Sequence, residues 1–114
     1  MPSTEQVLAS HEAALVAQDA VRVSMHYADD AVLIANGKTF RGPDGIAAMY
    51  AGLIQDLPDA EWRTDVAVIH DDLAYVEWSC RSAASKVEFG TDTFLVSGGR
   101  ITRQTASFRV IAEK

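Results

Sequence analysis

The second half of the chain contains four long strand-like runs that are joined by very short connections. The runs are Trp62 to His70, Leu73 to Ser82, Lys86 to Val96, and Ile101 to Ile111. The connections are Asp71-Asp72, a Ser/Ala stretch and Ser97-Gly98-Gly99-Arg100. Connections this short predict consecutive antiparallel hairpins, because a parallel crossover needs about a dozen residues or more. The chain is therefore predicted to fold around an antiparallel meander.

The first part of the chain has helical patterns instead. Ser3 and Gln6 have the spacing of a capping box, and apolar residues follow at helical intervals. Asp19 is expected to cap a second, short helix from Ala20 to Tyr27, which Asp29-Asp30 ends. Two helices are therefore predicted before the first strand.

A hairpin and a third helix come next. Ala31 to Ala35 is a short apolar run, and Asn36-Gly37 is a strong turn signal into Lys38 to Arg41. Gly42-Pro43-Asp44 starts the third helix, and Leu57-Pro58-Asp59 ends it. Helices followed by a curved meander predict an α+β fold in one domain, residues 1–114, with the helices covering one face of the sheet.

Composition limits the possible partners and compartment. The net charge of −6 argues against nucleic acid and anionic membranes, since both need a basic surface. No apolar run is long enough to cross a bilayer, and Met1 to Thr4 lacks the pattern of a secretory signal. Cys80 is the single cysteine, so no intramolecular disulfide can form. We therefore expect a cytoplasmic protein.

The predicted strands carry apolar residues on both faces. In the third run, Phe89 and Leu95 share one face, while Asp92 and Phe94 share the other. Apolar residues on both faces imply two covers, of which one is the helical layer. The other cover is expected to be a second copy of the chain, giving a homodimer through the sheet. Periodicity alone does not indicate which face lines a pocket.

Asp92 stands out because aspartate is disfavoured inside strands. On a solvent-facing strand it would be an ordinary surface charge. On an inward face its carboxyl would lose hydration, its pKa would rise, and it could act as a proton donor or base. The functional interpretation depends on which face Asp92 occupies.

Three segments of the chain resemble a known superfamily. They are His26 to Val32, Phe40 to Ile46, and Gly90 to Phe94 continued through Gly98 to Ile101. On these segments the chain resembles the nuclear-transport-factor-2-like (NTF2-like) superfamily, in its SnoaL-like and ketosteroid-isomerase-like branches. The resemblance implies a cone in which a curved, mixed sheet wraps around a pocket closed by three helices, and it implies a dimer. It does not fix an activity, because this scaffold hosts many unrelated functions.

The resemblance also assigns residues. Asp92 falls where the steroid isomerases keep a protonated aspartic acid, and His11 falls where they place an oxyanion-hole tyrosine. Tyr50 matches a supporting tyrosine on the third helix. Ala35 falls at the position of the catalytic base, and the neighbouring Asn36 cannot replace a carboxylate. Steroid-type double-bond isomerisation is therefore not expected.

The candidate catalytic residues are thus Asp92, His11 and Tyr50. His11 also has a simpler interpretation, as a core-facing histidine between Val7 and Leu15. The aromatic candidates for a pocket wall equally suit a packed core. The expected ligand-binding residues, partly from the resemblance, are Tyr27, Trp62, Val76, Trp78, Phe94, Gln104, Ala106 and Phe108.

Two functions stay open on these grounds. One is cofactor-free acid–base catalysis on an apolar or aromatic, oxygen-bearing small molecule: isomerisation, dehydration, cyclisation or hydrolysis. The other is a non-catalytic ligand-binding or dimerisation module, with a protein-partner adaptor as a third alternative. No metal is expected, because the histidines show no ligand spacing and the His11-Glu12 pair lacks the second histidine of a zinc helix. No phosphate-binding or nucleophile motif occurs, so no cofactor is expected.

Overall fold

The computed structural model describes residues 1–113; Lys114, at the end of the predicted domain, lies outside the described residues. The helices are α1 (Thr4–Val16), α2 (Ala20–Ser24) and α3 (Gly42–Asp56). The strands are β1 (Tyr27–Ala35), β2 (Lys38–Arg41), β3 (Glu61–His70), β4 (Leu73–Arg81), β5 (Ser85–Ser97), β6 (Arg100–Ser107) and β7 (Ile111–Ala112).

One curved sheet contains all the strands. Its order is β2-β1-β6-β5-β4-β3, and β7 pairs with the start of β5. The four long strands form the predicted antiparallel meander, while β1 pairs with β6 in parallel. Register shifts between Thr64 and Val66, and between Trp78 and Cys80, bend the strands. The predicted α+β fold is confirmed.

Local signals explain the helix and turn boundaries. The Ser3 hydroxyl accepts from the Gln6 amide while the Gln6 side chain accepts from the Ser3 amide, which completes the predicted capping box of α1. Asn36 and Gly37 both have positive φ, as the two-residue hairpin between β1 and β2 requires. These short-range predictions are confirmed.

The predicted second helix was too long. α2 ends at Ser24, and Tyr27 begins β1, so Asp29-Asp30 lies within a strand. The His26 carbonyl accepts from the Ile101 amide, and Tyr27 pairs with Ile101 in parallel. Pairing with a distant strand therefore overrides the local helical pattern.

The last predicted strand is broken into two. β6 ends at Ser107, and Ile111 crosses to pair with Lys86 at the start of β5. At the break the Phe108 amide donates to Asn36 Oδ1 at 2.9 Å, so the β1–β2 turn holds the chain where it leaves β6.

The helices cover the concave face of the sheet. The core joins α1 and α3 to this face through buried side chains that include Val7, Ile46, Leu33, Ile101 and Phe94. Within residues 1–113 the convex face carries no helix, and Val68, Leu73 and Leu95 are exposed there. The layer of helices leaves part of the concave side unfilled, and the candidate site lies in that space.

Candidate functional site

A cavity of about 260 Å³ lies between α1, α3 and the concave face of the sheet. All three candidate catalytic residues line it. Six of the eight expected ligand-binding residues line it as well: Trp62, Val76, Trp78, Phe94, Ala106 and Phe108. Tyr27 and Gln104 do not line the cavity; both are buried behind its wall and hydrogen-bonded to lining residues.

Aromatic rings form one wall of the cavity. The Trp62 and Trp78 ring centroids are 5.7 Å apart, and those of Trp78 and Phe108 are 5.6 Å apart. Gly90 pairs with Trp78 across the β4–β5 ladder. A Cβ at Gly90 would lie 2.4 Å from Trp78 Cε2, so the absence of a side chain there makes room for the indole. The aromatic wall therefore depends on a glycine that the sequence did not single out as functional.

Asp92 lies on β5 beside small or apolar cross-strand neighbours. Val76 is its partner on β4 and Ala106 its partner on β6, and all three line the cavity. Asp92 is half-buried and lines this cavity. Gln104 Nε2 donates to Asp92 Oδ1 at 2.9 Å. Asp92 therefore occupies the inward face, beside Gln104.

Burial raises the pKa of Asp92 to about 6, against the opposing effects of the Gln104 hydrogen bond and the nearby Trp78 N–H. At pH 7 only about a tenth of the molecules would carry the proton. The carboxyl is therefore mainly ionised at neutral pH. An ionised Asp92 can accept a proton as a base. The steroid isomerases instead keep a protonated aspartic acid, a hydrogen-bond donor, at the matching position.

A buried polar network supports Asp92 from behind. The Tyr27 hydroxyl donates to Gln104 Oε1, and Gln104 Nε2 donates to the Tyr50 hydroxyl at 3.1 Å. The Tyr27 and Tyr50 hydroxyls are 3.1 Å apart, and Tyr50 lies 3.3 Å from His11 Nε2. One network therefore joins α1, α3, β1, β5 and β6.

Burial fixes the protonation of this network. It lowers the pKa of His11 to about 3, with a smaller effect from His26, so the imidazole is neutral at physiological pH. Burial raises the pKa of both Tyr27 and Tyr50, with further effects from each other and from Asp92, so both keep their protons. Asp92 is the member of the network that changes charge near neutral pH.

Sequence reasoning missed eleven lining residues. On α1, Leu8 and Leu15 lie three and four residues from His11, on the same helical face, and could have been found from it. Those on β3 after Thr64 could not, because the register shift before Val66 moves Ala67 and Ile69 onto the face of Trp62. The missed residues are Glu5, Leu8, Ala9, Glu12, Leu15, Met49, Leu53, Arg63, Thr64, Ala67 and Ile69.

The remaining histidines and the cysteine lie outside the cavity lining. His26 is half-buried, and burial lowers its pKa, while His70 is exposed at the end of β3. Burial raises the pKa of the Cys80 thiol to about 11. Within residues 1–113, no three His, Cys, Asp or Glu side chains come together as a metal site. No helix in the same range has the length and apolar character needed to span a membrane.

Comparisons with solved structures identify the same fold at low sequence identity. A "putative polyketide cyclase" from Sinorhizobium meliloti is 21% identical, with a TM-score of 0.76 over 93% of this chain and 94% of that one. A ketosteroid-isomerase-like protein from Catenulispora acidiphila, in complex with trimethylamine, is 16% identical, with a TM-score of 0.76 over 89% and 83%. An NTF2-like protein from Cytophaga hutchinsonii is 7% identical, with a TM-score of 0.77 over 96% and 92%.

No curated protein matches the chain significantly. The SnoaL-like domain family matches residues 7–104, which is most of the chain. This match spans α1 to β6 up to Gln104, and therefore includes Asp92, His11 and Tyr50. The chain belongs to the SnoaL-like domain family.

Proposed function

We propose that this protein binds a small apolar molecule in the cavity and acts on it as a cofactor-free acid–base enzyme, with Asp92 as the general base. The observation that carries the proposal is the carboxylate of Asp92 in a largely apolar cavity, with a pKa of about 6. A base works best when its pKa lies near the working pH. Such a base removes a proton from one atom of the ligand and returns it to another or to water.

The size of the cavity limits the ligand. An apolar cavity of about 150 Å³ binds benzene, so the 260 Å³ here suits a ligand of one or two rings. The similar protein from Sinorhizobium meliloti is called a "putative polyketide cyclase", and cyclisation belongs to the reactions proposed here.

The proposal can be tested with a nitrobenzisoxazole, a two-ring probe that reports on general bases. Removal of its ring C–H proton by Asp92 breaks the N–O bond and releases a coloured phenolate. We expect kcat/KM to rise with pH through an apparent pKa near 6, and Asp92→Asn to lower it by about a hundredfold or more. Glu88→Gln, an exposed carboxylate on the same strand, is the matched control. A rate that is unchanged in Asp92→Asn would exclude Asp92 as the base.

A second candidate is a non-catalytic binding module of the same fold. It is favoured by Ala35, which is buried and apolar at the position where the steroid isomerases carry their base. The same experiment separates the two candidates. A module would bind the probe without opening it faster than buffer does.

We also propose that the convex face of the sheet pairs with a second copy of the chain. A row of neighbours crosses this face and contains no charged residue: Val68, Tyr75, Thr93, Thr105 and Ile34. This row offers no charge to a partner, although Glu77 and Arg103 lie in the rows beside it. A second copy would present the same uncharged row to it across a two-fold axis. The dimer would not cover the cavity, because the cavity lies between the helices and the opposite, concave face of the sheet.

We infer a cytoplasmic location from the single cysteine. Cys80 has no partner for an intramolecular disulfide, and its thiol is buried and stays protonated. A chain without disulfides suits a reducing compartment.

A further inference from the structure

The orientation of the Gln104 amide is fixed by its three partners. Its Nε2 donates to Asp92 and to Tyr50, and its Oε1 accepts from Tyr27. The opposite orientation would place the amide oxygen against an ionised carboxylate, and neither of these groups can donate. Both N–H groups of Gln104 are therefore used inside the network.

The directions of the remaining hydrogen bonds follow from this orientation. The Tyr27 proton is used on Gln104, so Tyr50 donates in the 3.1 Å contact between the two hydroxyls. The Tyr50 oxygen must then accept from His11 Nε2, which assigns the neutral Nε2–H tautomer to His11. The donors run in one direction, from His11 through the two tyrosines and Gln104 to Asp92.

Asp92 is thus the end of a chain of donors. A carboxylate accepts up to about four hydrogen bonds, and Gln104 supplies one of them. Among the residues that the structure describes, three nitrogens of other lining residues make no hydrogen bond: His11 Nδ1, Trp62 Nε1 and Trp78 Nε1. The Trp78 N–H lies near enough to Asp92 to lower its pKa, but none of the three nitrogens has appreciable accessible surface. Within the hydrogen-bonded network, Asp92 therefore offers free acceptor positions to the cavity, while the donors of the other members are already used.

The geometry points to a ligand that presents an O–H or N–H donor to Asp92, such as a one- or two-ring alcohol, phenol or amine, rather than a ketone. This inference rests on the proposed binding function of the cavity. A carbonyl placed against the ionised Asp92 would find no donor and would lose its hydrogen bond to water. Protonation of Asp92 would supply a donor and weaken the preference.

Other charged or titratable groups near the cavity must be separated from Asp92. Glu5 and Glu12 on α1 and Arg63 on β3 line the cavity and are exposed. His11, Tyr50 and Tyr27 keep one protonation state between pH 5 and 8, because burial displaces their pKa values away from this range. His26 influences His11 from outside the cavity lining. Removing only the Asp92 charge therefore isolates its contribution.

The test uses matched ligands that differ in one group: indanol and indanone, measured by calorimetric titration at pH 8 and pH 5. For the wild type at pH 8, we expect indanol to bind about tenfold or more tightly than indanone. At pH 5 this preference should fall to about threefold or less, because Asp92 then carries a proton in most molecules. In Asp92→Asn the ratio should not change with pH, whereas Glu88→Gln should behave as the wild type.

The outcomes distinguish this inference from the proposed function. Equal binding of both compounds at pH 8, or tighter binding of indanone, would overturn the donor preference while leaving a functional pocket. A preference that persists unchanged at pH 5, or that still changes with pH in Asp92→Asn, would show that Asp92 does not determine it. Failure of both compounds to bind the folded wild type would count against the proposed function and against this inference.

Discussion

At the scale of single residues, burial shifts the pKa values of Asp92 and His11 so that the charged form of each side chain is disfavoured. The pKa of Asp92 is raised from 3.8 to about 6, and that of His11 is lowered from 6.5 to about 3. A charged form that is disfavoured in the fold makes stability depend on pH. As the pH rises, Asp92 lowers the stability of the fold and His11 raises it. The two effects are therefore measured in separate variants.

Asp92→Asn should stabilise the protein at pH 8. Because the folded pKa of Asp92 is raised, its effect favours the fold below pH 3.8, and stability is lost as the pH rises through about 6. The asparagine removes this penalty, which amounts to at most about 3 kcal/mol at pH 8 and about half as much at pH 5. Urea unfolding at both pH values measures the difference. A variant less stable than the wild type at pH 8 would contradict the buried, ionised Asp92.

His11→Gln should reduce the loss of folding stability at acidic pH. Because the folded pKa of His11 is lowered, its stabilising effect is complete above pH 6.5 and is lost as the pH falls toward 3. The wild type should therefore lose about 3 kcal/mol between pH 7 and pH 4 through this residue. Comparison of urea midpoints in an Asp92→Asn background removes the opposing effect of Asp92. His70→Gln, at an exposed histidine on β3, serves as the control for removal of a histidine.

The importance of Asp92 could be predicted from the sequence, but its protonation state could not. An aspartate within a strand is visible in the sequence, and resemblance suggested that it faces inward. Its ionised state at pH 7 depends on how much burial outweighs the Gln104 and Trp78 contacts, which only the packed structure gives. The positions of Tyr27 and Gln104 behind the wall likewise depend on side-chain directions that periodicity does not contain.

At the scale of elements, the pairing of β4 with β5 positions the aromatic wall. Gly90→Ala should force the Trp78 indole to move, because the new Cβ would lie 2.4 Å from its Cε2. We expect a loss of about 1–3 kcal/mol in stability, as for other overpacked sites, and a change in tryptophan fluorescence. Trp78→Phe should partly restore the stability of the Gly90→Ala variant.

The control for this prediction is another glycine with free space around it. Gly52 lies on α3, and a Cβ there meets no atom within 4 Å. Gly52→Ala should raise stability by about 0.5–1 kcal/mol through helix propensity. Equal changes in stability from the two substitutions would show that the Trp78 indole does not exclude a side chain at position 90.

Elements with short-range signals were predicted better than elements with long-range ones. The capping box at Ser3 and the Asn36-Gly37 turn depend on neighbouring residues and appear as expected. The start of β1 at Tyr27 depends on Ile101, which lies in a distant strand. The break after Ser107 depends on Asn36 in the opposite half of the chain. The hydrophobic periodicity of a segment does not indicate which distant residues it will pair with, so these boundaries could not be predicted from it.

At the scale of the whole molecule, the convex face should decide the oligomeric state. Val68, which is 58% exposed, lies in the uncharged row, and a charge there would oppose its own copy across a two-fold axis. We expect sedimentation at micromolar concentration to show a dimer for the wild type and a monomer for Val68→Lys. Val21→Lys, on α2 and 67% exposed, should remain dimeric. A monomeric wild type would refute the proposed interface.

The overall architecture could be predicted because several signals agreed. Helical patterns, short hairpin connections and the family resemblance all indicated the same α+β arrangement. The cavity volume and its mouth could not be predicted, since they depend on how far α1 and α3 stand from the curved sheet.

The parallel pairing of β1 with β6 has a consequence for the order of assembly. Tyr27 on β1 and Gln104 on β6 meet in one hydrogen-bonded network, so closure of the site requires contacts between residues that are far apart in the sequence. Such non-local contacts form slowly compared with hairpins. We expect pulsed hydrogen exchange during refolding to protect the β4–β5 hairpin before the β1–β6 pair. During synthesis on the ribosome, Asp92 would then remain hydrated until β6 has emerged and can pair with β5.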